Sequence, residues 1–196
     1  MAFSGNPMTT PAATAYLGLG SNIGTEAAKL VALRGAIAEL EKHPGIKVTG
    51  KSSVYRSSAW GYTQQDDFLN AVIRIETSLA PLELLRVVKD AETAVGRYPT
   101  FRWGPRVIDV DILLLGDLDL KSDALTIPHK FLLERDFAYV PLLELEPDVC
   151  LPTGKRVAEA VPASSQSGES LTKAADLVLG DSRLPPEEGG GGGRGG

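Results

Sequence analysis

The chain has 196 residues, of which 43% are hydrophobic and 23% are charged, with a formal net charge of −5. This composition suffices for one compact globular domain with some length left for tails, and the acidic balance argues against a nucleic-acid-binding surface. Cys150 is the only cysteine, and residues 1–25 have neither a basic start nor an uninterrupted apolar run, so we expect no intramolecular disulfide, no membrane span and a cytoplasmic location.

The predicted domain begins with a strand and a helix. Residues 1–13 are rich in Ala, Thr, Pro and Ser and are expected to be disordered. A short apolar strand over Ala15–Leu19 leads into the turn Gly20–Gly24, and apolar residues then recur at helical spacing from Glu26 to Glu41. We expect the sequence His43-Pro44-Gly45 to end this helix.

Three further strands and a second helix follow. The composition of Val48–Arg56 and of Phe68–Glu76 is typical of strands, and the segment from Pro81 to about Val95 has an amphipathic helical pattern. Val107–Leu115 is an apolar strand interrupted only by two aspartates. The order βαββαβ predicts an α+β fold, a ferredoxin-like antiparallel sheet packed with helices.

C-terminal additions extend this predicted core. A small hairpin is expected after Gly116, followed by helical segments over Phe131–Leu133 and Phe137–Leu145. The sequence then becomes rich in Ser and Gly. We therefore predict a single domain at residues 14–162 and a low-complexity, disordered tail at residues 163–196.

The strongest chemical signal is a pair of aspartates, Asp109 and Asp111, on the last strand of the βαββαβ unit. Residues two apart on a strand point to the same face, roughly 7 Å apart, and the apolar flanks indicate that this strand is mostly buried. Neighbouring carboxylates repel each other there, and a divalent cation relieves the repulsion; oxygen-only ligands favour Mg²⁺. The spacing alone is equally consistent with a solvated face on which each aspartate pairs with an arginine.

Three arginines, Arg97, Arg102 and Arg106, precede the two aspartates in an otherwise acidic chain. Guanidinium groups match phosphate oxygens, and arginines beside a carboxylate pair that binds Mg²⁺ are typical of phosphoryl transfer. Ordinary salt bridging, including pairs with the two aspartates, is the alternative. The cost of clustering like charges favours the catalytic interpretation.

The glycine-rich segment Gly18–Gly24 matches neither of the common nucleotide-binding motifs. Its glycine spacing is one residue longer than the Rossmann fingerprint, and no Walker-type phosphate loop occurs in the chain. We interpret it as a tight strand-to-helix turn with Ser21 or Asn22 near the helix cap. A nucleotide would then be bound elsewhere.

Two polar residues, Asn70 and His129, are open to a functional and a structural interpretation. An asparagine inside a strand is disfavoured unless its amide is used, so Asn70 either reads the edge of a heterocycle or makes a cross-strand hydrogen bond. His129, between Pro128 and Lys130, either donates to a phosphate or has a backbone partner.

Together these segments resemble the 6-hydroxymethyl-7,8-dihydropterin pyrophosphokinase family. The resemblance covers about Ala15 to Pro152 and is carried by YLGLGSNIG, DFLNAV, RWGPRVIDVDIL, and IPH followed by ER-x-F. The decapeptide Arg102–Asp111 is highly specific to that family. The resemblance implies a ferredoxin-like enzyme that transfers the β,γ-diphosphate of ATP to the hydroxymethyl oxygen of the dihydropterin and releases AMP, a step of folate biosynthesis.

The resemblance also implies a role for each matching residue. The catalytic residues would be Arg97, Arg106, Asp109 and Asp111, and the two aspartates would hold two Mg²⁺ ions. The residues implied to bind ATP are Glu92, Arg97, Arg106, Ile112, Leu125, Thr126, His129, Lys130 and Arg135. Those implied to bind the pterin are Ser57, Ser58, Trp60, Phe68, Asn70, Trp103, Asp109 and Phe137, with Asn70 reading the ring edge and the two phenylalanines stacking on its faces. The expected partners are these two small substrates, with no nucleic acid and no membrane, and the chain is expected to be a monomer or weak homodimer.

Two other functions fit the residue pattern apart from the resemblance. One is a non-enzymatic ferredoxin-like binding module, but an RNA-binding member would need a basic sheet with exposed aromatic residues, which the acidic balance disfavours. The other is a metal-dependent phosphohydrolase that uses the same carboxylate pair. Release of phosphate without pterin would distinguish the hydrolase from the pyrophosphokinase.

Overall fold

The computed structural model describes residues 12–57, 67–96, 107–163 and 171–180. The βαββαβ unit consists of β1 (Ala13–Ser21), α1 (Glu26–Glu41), β2 (Ile46–Lys51), β3 (Tyr55–Ser57), β4 (Phe68–Thr77), α2 (Pro81–Val95) and β5 (Asp109–Leu115). The elements after it are β6 (Leu120–Lys121), β7 (Thr126–Ile127), α3 (Asp136–Leu145), α4 (Val157–Ala160) and β8 (Thr172–Lys173).

The main sheet is antiparallel, with strand order β5-β1-β4-β3-β8 and with β2 also paired to β4. Strand β1 therefore lies between β4 and β5, next to the edge strand β5. The small hairpin β6–β7 forms a second sheet. This arrangement confirms the ferredoxin-like α+β fold predicted from the order of elements.

The predicted second strand is divided in two at Ser52. The Ser52 hydroxyl accepts a hydrogen bond from the backbone N–H of Val72 at 2.9 Å, while the Ser52 N–H donates to the Val72 carbonyl at 2.8 Å. A side chain thus replaces a backbone acceptor of the ladder. As a result, β2 pairs with the C-terminal half of β4 and β3 pairs with its N-terminal end.

The two faces of the sheet have different neighbours. One face packs on α1 and α2 around a core that includes Leu17, Leu33 and Ile73, all fully buried. The other face carries Val72 and Leu113 and is covered by α3 through a second apolar cluster. Helix α3 covers only part of that second face, and Asp109, Asp111 and Asn70 lie on the same face.

Helix α1 has the predicted bounds but a different cap. The side chain of Thr25, and not that of Ser21 or Asn22, accepts the hydrogen bond from the Ala28 N–H at 3.2 Å. The chain stays extended through Ser21, so the strand is longer than predicted, and the cap lies three residues after Asn22 and four after Ser21. The predicted stop is confirmed, because the helix ends at Glu41 and the Gly45 N–H donates to His43 Nδ1 in the turn that follows.

Two predictions for the C-terminal region are wrong. Phe131–Leu133 forms successive turns and no helix. The N–H groups of Glu134 and Arg135 both donate to the Phe131 carbonyl, and no continuous series of helical hydrogen bonds follows there. Residues 171–180, predicted to belong to a disordered tail, pack on the domain: β8 pairs with β3, and Ala174 and Leu179 are 0% and 3% exposed. No helix within the described ranges has the length and apolarity needed to cross a membrane.

Candidate active site

Gly20 of the N-terminal motif lies between two polar residues, Asp109 and Asn70, on neighbouring strands of the sheet. Gly20 of β1 is in register with Asp109 of β5 on one side and with Asn70 of β4 on the other. Directly opposed residues of antiparallel strands share a face, so these residues line one surface. A β-carbon at Gly20 would lie 3.3 Å from Asn70 Oδ1. A side chain at Gly20 would therefore crowd the Asn70 amide, which our interpretation of the segment as a turn missed.

The two aspartates project from β5 onto this same face. Asp111 is in register with Gly18, two pairs along the strand from Asp109 and Gly20. Both carboxylates are partly buried, and the Asp111 side chain is 38% exposed. His129 Nε2 lies 3.8 Å from Asp111 Oδ2. The structure thus brings together the predicted carboxylate pair and the predicted histidine.

Helix α2 anchors the outer edge of β5 between the two aspartates. Glu92 is 1% exposed, and its Oε1 accepts hydrogen bonds from the Val110 N–H and from Lys89 Nζ, each at 2.7 Å. The Lys89 ammonium also donates to the Val110 carbonyl at 3.2 Å. Because Val110 lies between Asp109 and Asp111, these bonds fix the backbone that carries both carboxylates. Sequence reasoning assigned Glu92 to the site but missed Lys89 as its partner.

His129 is held in one orientation by the backbone on both sides. Its own N–H donates to the Leu113 carbonyl at 2.9 Å, and its Nδ1 accepts from the Phe131 N–H at 3.3 Å. This assignment leaves the ring proton on Nε2, directed toward Asp111. Burial lowers the pKa of His129, and the nearby Asp111 carboxylate opposes that shift. A neutral imidazole with an Nε2–H donor follows.

A pocket of about 240 Å³ lies beside Asp111, between α2, β5 and the β6–β7 hairpin. Its lining includes five residues predicted to bind ATP, namely Ile112, Leu125, Thr126, His129 and Lys130. Sequence reasoning missed the hairpin tip at Ser122–Ala124, which also lines the pocket. The two backbone–side-chain hydrogen bonds between Ser122 and Leu125 shape that tip, and the serine at the turn was the available signal.

Arg135 lies outside the lining of this pocket, next to the pocket residue Lys130. Its guanidinium lies over the Phe131 ring, 4.4 Å from the ring centroid, and 5.6 Å from that of Phe137. It is not part of the lining of the 240 Å³ pocket. Lys130 does line that pocket, and its ammonium lies 4.7 Å from the centroid of the Phe131 ring on which Arg135 also rests.

The predicted pterin residues of β3 and β4 are adjacent. Asn70 Nδ2 donates to Ser57 Oγ at 2.8 Å, and Ser57 is in register with Phe68. The cross-strand hydrogen bond considered for Asn70 is therefore present. Phe137 is half-buried at the start of α3, against the apolar cluster under that helix. The remaining predicted site residues, Ser58, Trp60, Arg97, Trp103 and Arg106, lie outside the described residues.

Comparison with known proteins shows the enzyme family to which the chain belongs. The family model described as 7,8-dihydro-6-hydroxymethylpterin-pyrophosphokinase (HPPK) matches residues 16–147. The chain belongs to this family. The match contains the βαββαβ unit except the first three residues of β1, and it includes the hairpin and α3. It ends before residues 171–180.

Two relatives named as the pyrophosphokinase match this chain over most of their length, and a longer folate-synthesis protein matches over part of its length. A 2-amino-4-hydroxy-6-hydroxymethyldihydropteridine pyrophosphokinase of Methylorubrum extorquens is 47% identical over 154 residues, which are 79% of this chain and 95% of the relative. The Aquifex aeolicus protein of that name is 47% identical over 140 residues, 71% of this chain and 84% of the relative. A folic acid synthesis protein of Schizosaccharomyces pombe is 40% identical over 83% of this chain, which corresponds to 22% of that longer protein.

Solved structures agree on the fold. A Plasmodium falciparum HPPK-DHPS triple mutant, determined with SDX-DHP, superposes with a TM-score of 0.61 at 15% identity, over 78% of this chain and 44% of that one. With this family membership, the chain is a pyrophosphokinase of folate biosynthesis. It transfers the β,γ-diphosphate of its co-substrate ATP to the hydroxymethyl group of 6-hydroxymethyl-7,8-dihydropterin, leaving AMP.

Proposed function

We propose that this diphosphate transfer is Mg²⁺-dependent and takes place on the open face of the sheet, between Asp111 and Asn70. The observation that supports it is the row Asp109–Gly20–Asn70, which joins the carboxylate pair to the pterin end of the sheet with no side chain between. The 240 Å³ pocket, which would bind ATP, lies beside Asp111 at the other end. The two substrates would therefore meet over Gly18 and Gly20.

The carboxylate oxygens of Asp109 and Asp111 suit Mg²⁺ better than a metal ion whose ligands must all come from protein side chains. Within the described ranges no three His, Cys, Asp or Glu side chains come together to hold an ion. Mg²⁺ is usually bound by one or two carboxylates, with substrate phosphates and water as the other ligands. When bound, it would neutralise charge on the phosphate oxygens and align the diphosphate for transfer. Two ions are expected from the family resemblance.

The chain's own groups would position ATP. Two hydrogen bonds hold His129 in place, one from the Phe131 N–H to its ring Nδ1 and one from its own backbone N–H to the Leu113 carbonyl. Its Nε2–H would donate to a phosphate oxygen. Lys130 would add positive charge at the pocket mouth, while Ile112 and Leu125 would pack against the base. Glu92 would act indirectly by holding β5.

The β3–β4 end would bind the pterin. Ser57 orients the Asn70 amide, and that amide would read the donors and acceptors on the ring edge. Phe68, with Phe137 on α3, would stack on the ring, and Asp109 would be the carboxylate nearest the hydroxymethyl group. In the reaction the hydroxymethyl oxygen loses its proton and bonds to the β-phosphorus of ATP, and the bond to the α-phosphate breaks to leave AMP.

Several assignments rest on the family resemblance alone. Arg97 and Arg106 are proposed to contact the phosphates, and Ser58, Trp60 and Trp103 to line the pterin site. Arg135 is proposed to reach the nucleotide from its place on the Phe131 ring. A cytoplasmic location and a monomeric or weakly dimeric state remain predictions of the same kind.

The metal assignment is tested by replacing each carboxylate with its amide. Asp109→Asn and Asp111→Asn remove a charged ligand at nearly constant size, so AMP formation should fall by about a hundredfold or more, equivalent to roughly 2.7 kcal/mol of barrier. Asp119→Asn, an exposed aspartate between β5 and β6, is the matched control and should stay within about twofold of the unmodified chain. AMP production is measured against Mg²⁺ concentration. Near-normal Mg²⁺-dependent AMP production by either site variant would show that these carboxylates are not the metal ligands.

A further inference from the structure

The strands that carry the predicted pterin residues are fastened to the first turn of α1. On β3, Arg56 Nε donates to Glu26 Oε2 at 2.6 Å and Arg56 Nη2 donates to Glu26 Oε1 at 3.0 Å. Just before β4, the Asp67 carbonyl accepts from Lys29 Nζ at 2.8 Å. Lys29 is only 7% exposed, which is unusual for lysine. One helix turn therefore holds the ends of both strands.

A segment outside the family match binds the same arginine from the other side. Residues 171–180, here called the C-terminal strap, place β8 against β3, and the Ala174 N–H donates to the Val54 carbonyl at 2.8 Å. Both carboxylate oxygens of Asp176 then accept from Arg56 Nη2 at 3.0 Å. Arg56 is thus shared by Glu26 of α1 and Asp176 of the C-terminal strap.

The position of Arg56 connects this network to the site. It precedes Ser57, the residue whose hydroxyl accepts from the Asn70 amide. Successive strand residues point to opposite faces, so Arg56 is held on the face toward α1 while Ser57 points to the active-site face. With three residues, β3 has few ladder bonds of its own to fix its backbone. Fixing Arg56 therefore fixes the backbone from which Ser57 orients Asn70.

We propose that Asp176 is a positioning residue for the pterin end of the active site, acting through Arg56 and Ser57 on Asn70. The proposal rests on the function proposed above, in which Asn70 contacts the pterin. Single exposed ion pairs contribute little, but an arginine held by two carboxylates, one of them bidentate, forms a network with a defined geometry. The C-terminal strap thereby becomes part of the working enzyme.

The chain supplies a matched control for this arginine network. Arg156 is likewise shared by two carboxylates, Asp148 and Glu159, in the region of α4. Within the part of the chain that the structure describes, no hydrogen bond or ion pair of the Arg156 side chain reaches β3 or β4. Asp148→Ala therefore removes an equivalent surface pair without touching the proposed route to Asn70.

The experiment compares Asp176→Ala, Asp176→Glu and Asp148→Ala in the full-length chain. KM for the pterin, KM for ATP and kcat are measured from AMP formation, and thermal unfolding is recorded for each variant. Asp176→Ala should raise the pterin KM about threefold while the ATP KM stays unchanged, a size expected for loss of one arm of an exposed ion-pair network. Asp176→Glu should restore most of the loss, and Asp148→Ala should change neither KM.

The result that overturns the proposal is an Asp176→Ala variant that behaves like Asp148→Ala or that raises both KM values equally. Asn70→Ala, measured alongside, separates this failure from failure of the proposed site. If Asn70→Ala leaves the pterin KM unchanged, the proposed pterin site is wrong. If Asn70→Ala raises the pterin KM and Asp176→Ala does not, the site stands and only the positioning role of Asp176 is wrong.

Discussion

At the scale of single residues, Asn70 shows that a structural and a functional use of one side chain coexist. One N–H of its amide is used by Ser57, as the structural interpretation required, and that bond leaves Oδ1 facing the space above Gly20. The sequence could suggest that the amide was used, because asparagine is disfavoured inside a strand. It could not show the partner, since Ser57 is 13 residues away and becomes a neighbour only through the β3–β4 pairing.

Asn70 should therefore control which heterocycle is preferred. Asn70→Ala removes directional donors and acceptors, each worth roughly 1–3 kcal/mol when its partner is left unpaired. The variant should lose discrimination between the pterin and a deaza analogue. Phe137→Ala is the comparison: stacking is less directional, so both ligands should weaken to a similar extent. The two dissociation constants for each variant decide the matter, and an unchanged affinity ratio in Asn70→Ala would assign the residue a purely structural role.

Glu92 gives a prediction about stability. Its buried carboxylate is the acceptor for the Val110 N–H at the outer edge of β5. Glu92→Ala leaves that N–H and the Lys89 ammonium without this acceptor, so the free energy of unfolding should fall by about 2–3 kcal/mol. Glu92→Gln retains an acceptor oxygen and should cost less. Urea unfolding of both variants measures the difference, and equal losses would mean that the carboxylate does not serve β5 in this way.

At the scale of elements, Glu144 joins α3, β3 and the C-terminal strap. Its carboxylate accepts hydrogen bonds from Ser53, Tyr55 and Lys173. Burial alone would raise the pKa of Glu144, but the hydrogen bonds outweigh burial and lower the pKa to about 2. Burial and the bond to Glu144 together raise the pKa of Tyr55 to about 12.

The lowered pKa of Glu144 has a consequence for acid stability. A carboxylate with a depressed pKa in the folded state stabilises fully above its unfolded pKa of about 4.5, and this contribution is lost as the pH falls toward 2. We expect the junction to lose roughly 1–2 kcal/mol over that window, less than the full shift implies because the side chain is partly in water. Glu144→Gln should show a shallower decline in unfolding free energy between pH 5 and 2. Equal pH slopes in the two proteins would contradict the assignment.

The elements that the sequence predicted well are those with long local patterns. Both helices of the βαββαβ unit have the predicted bounds, because their apolar spacing and end signals are local. The Ser52 break was not predictable, since it depends on a serine hydroxyl meeting Val72 on another strand. The C-terminal strap was missed for a similar reason: β8 has two residues in a polar stretch and is a strand only because β3 offers an edge.

At the scale of the whole molecule, the main hydrophobic core and the candidate active site lie on opposite faces of one sheet. One sheet face packs on α1 and α2, and the other is left open over Gly18 and Gly20, with the carboxylates at one end and Asn70 at the other. Gly18 and Gly20 are two residues apart on β1 and therefore lie on the same face. This spacing indicated the open face, but we interpreted the segment as a turn. The residue roles came from the family resemblance, because spacing in one strand cannot show what faces it across a sheet.

Following all three phosphorus atoms of ATP is the measurement that tests the account most directly. The chain, ATP, Mg²⁺ and 6-hydroxymethyl-7,8-dihydropterin are monitored by phosphorus NMR, with parallel reactions lacking pterin or containing Asp111→Asn. We predict AMP and pterin diphosphate in equal amounts, formed only when the pterin is present and nearly absent with Asp111→Asn. Formation of ADP, or release of phosphate at the same rate without pterin, would contradict diphosphate transfer at this site.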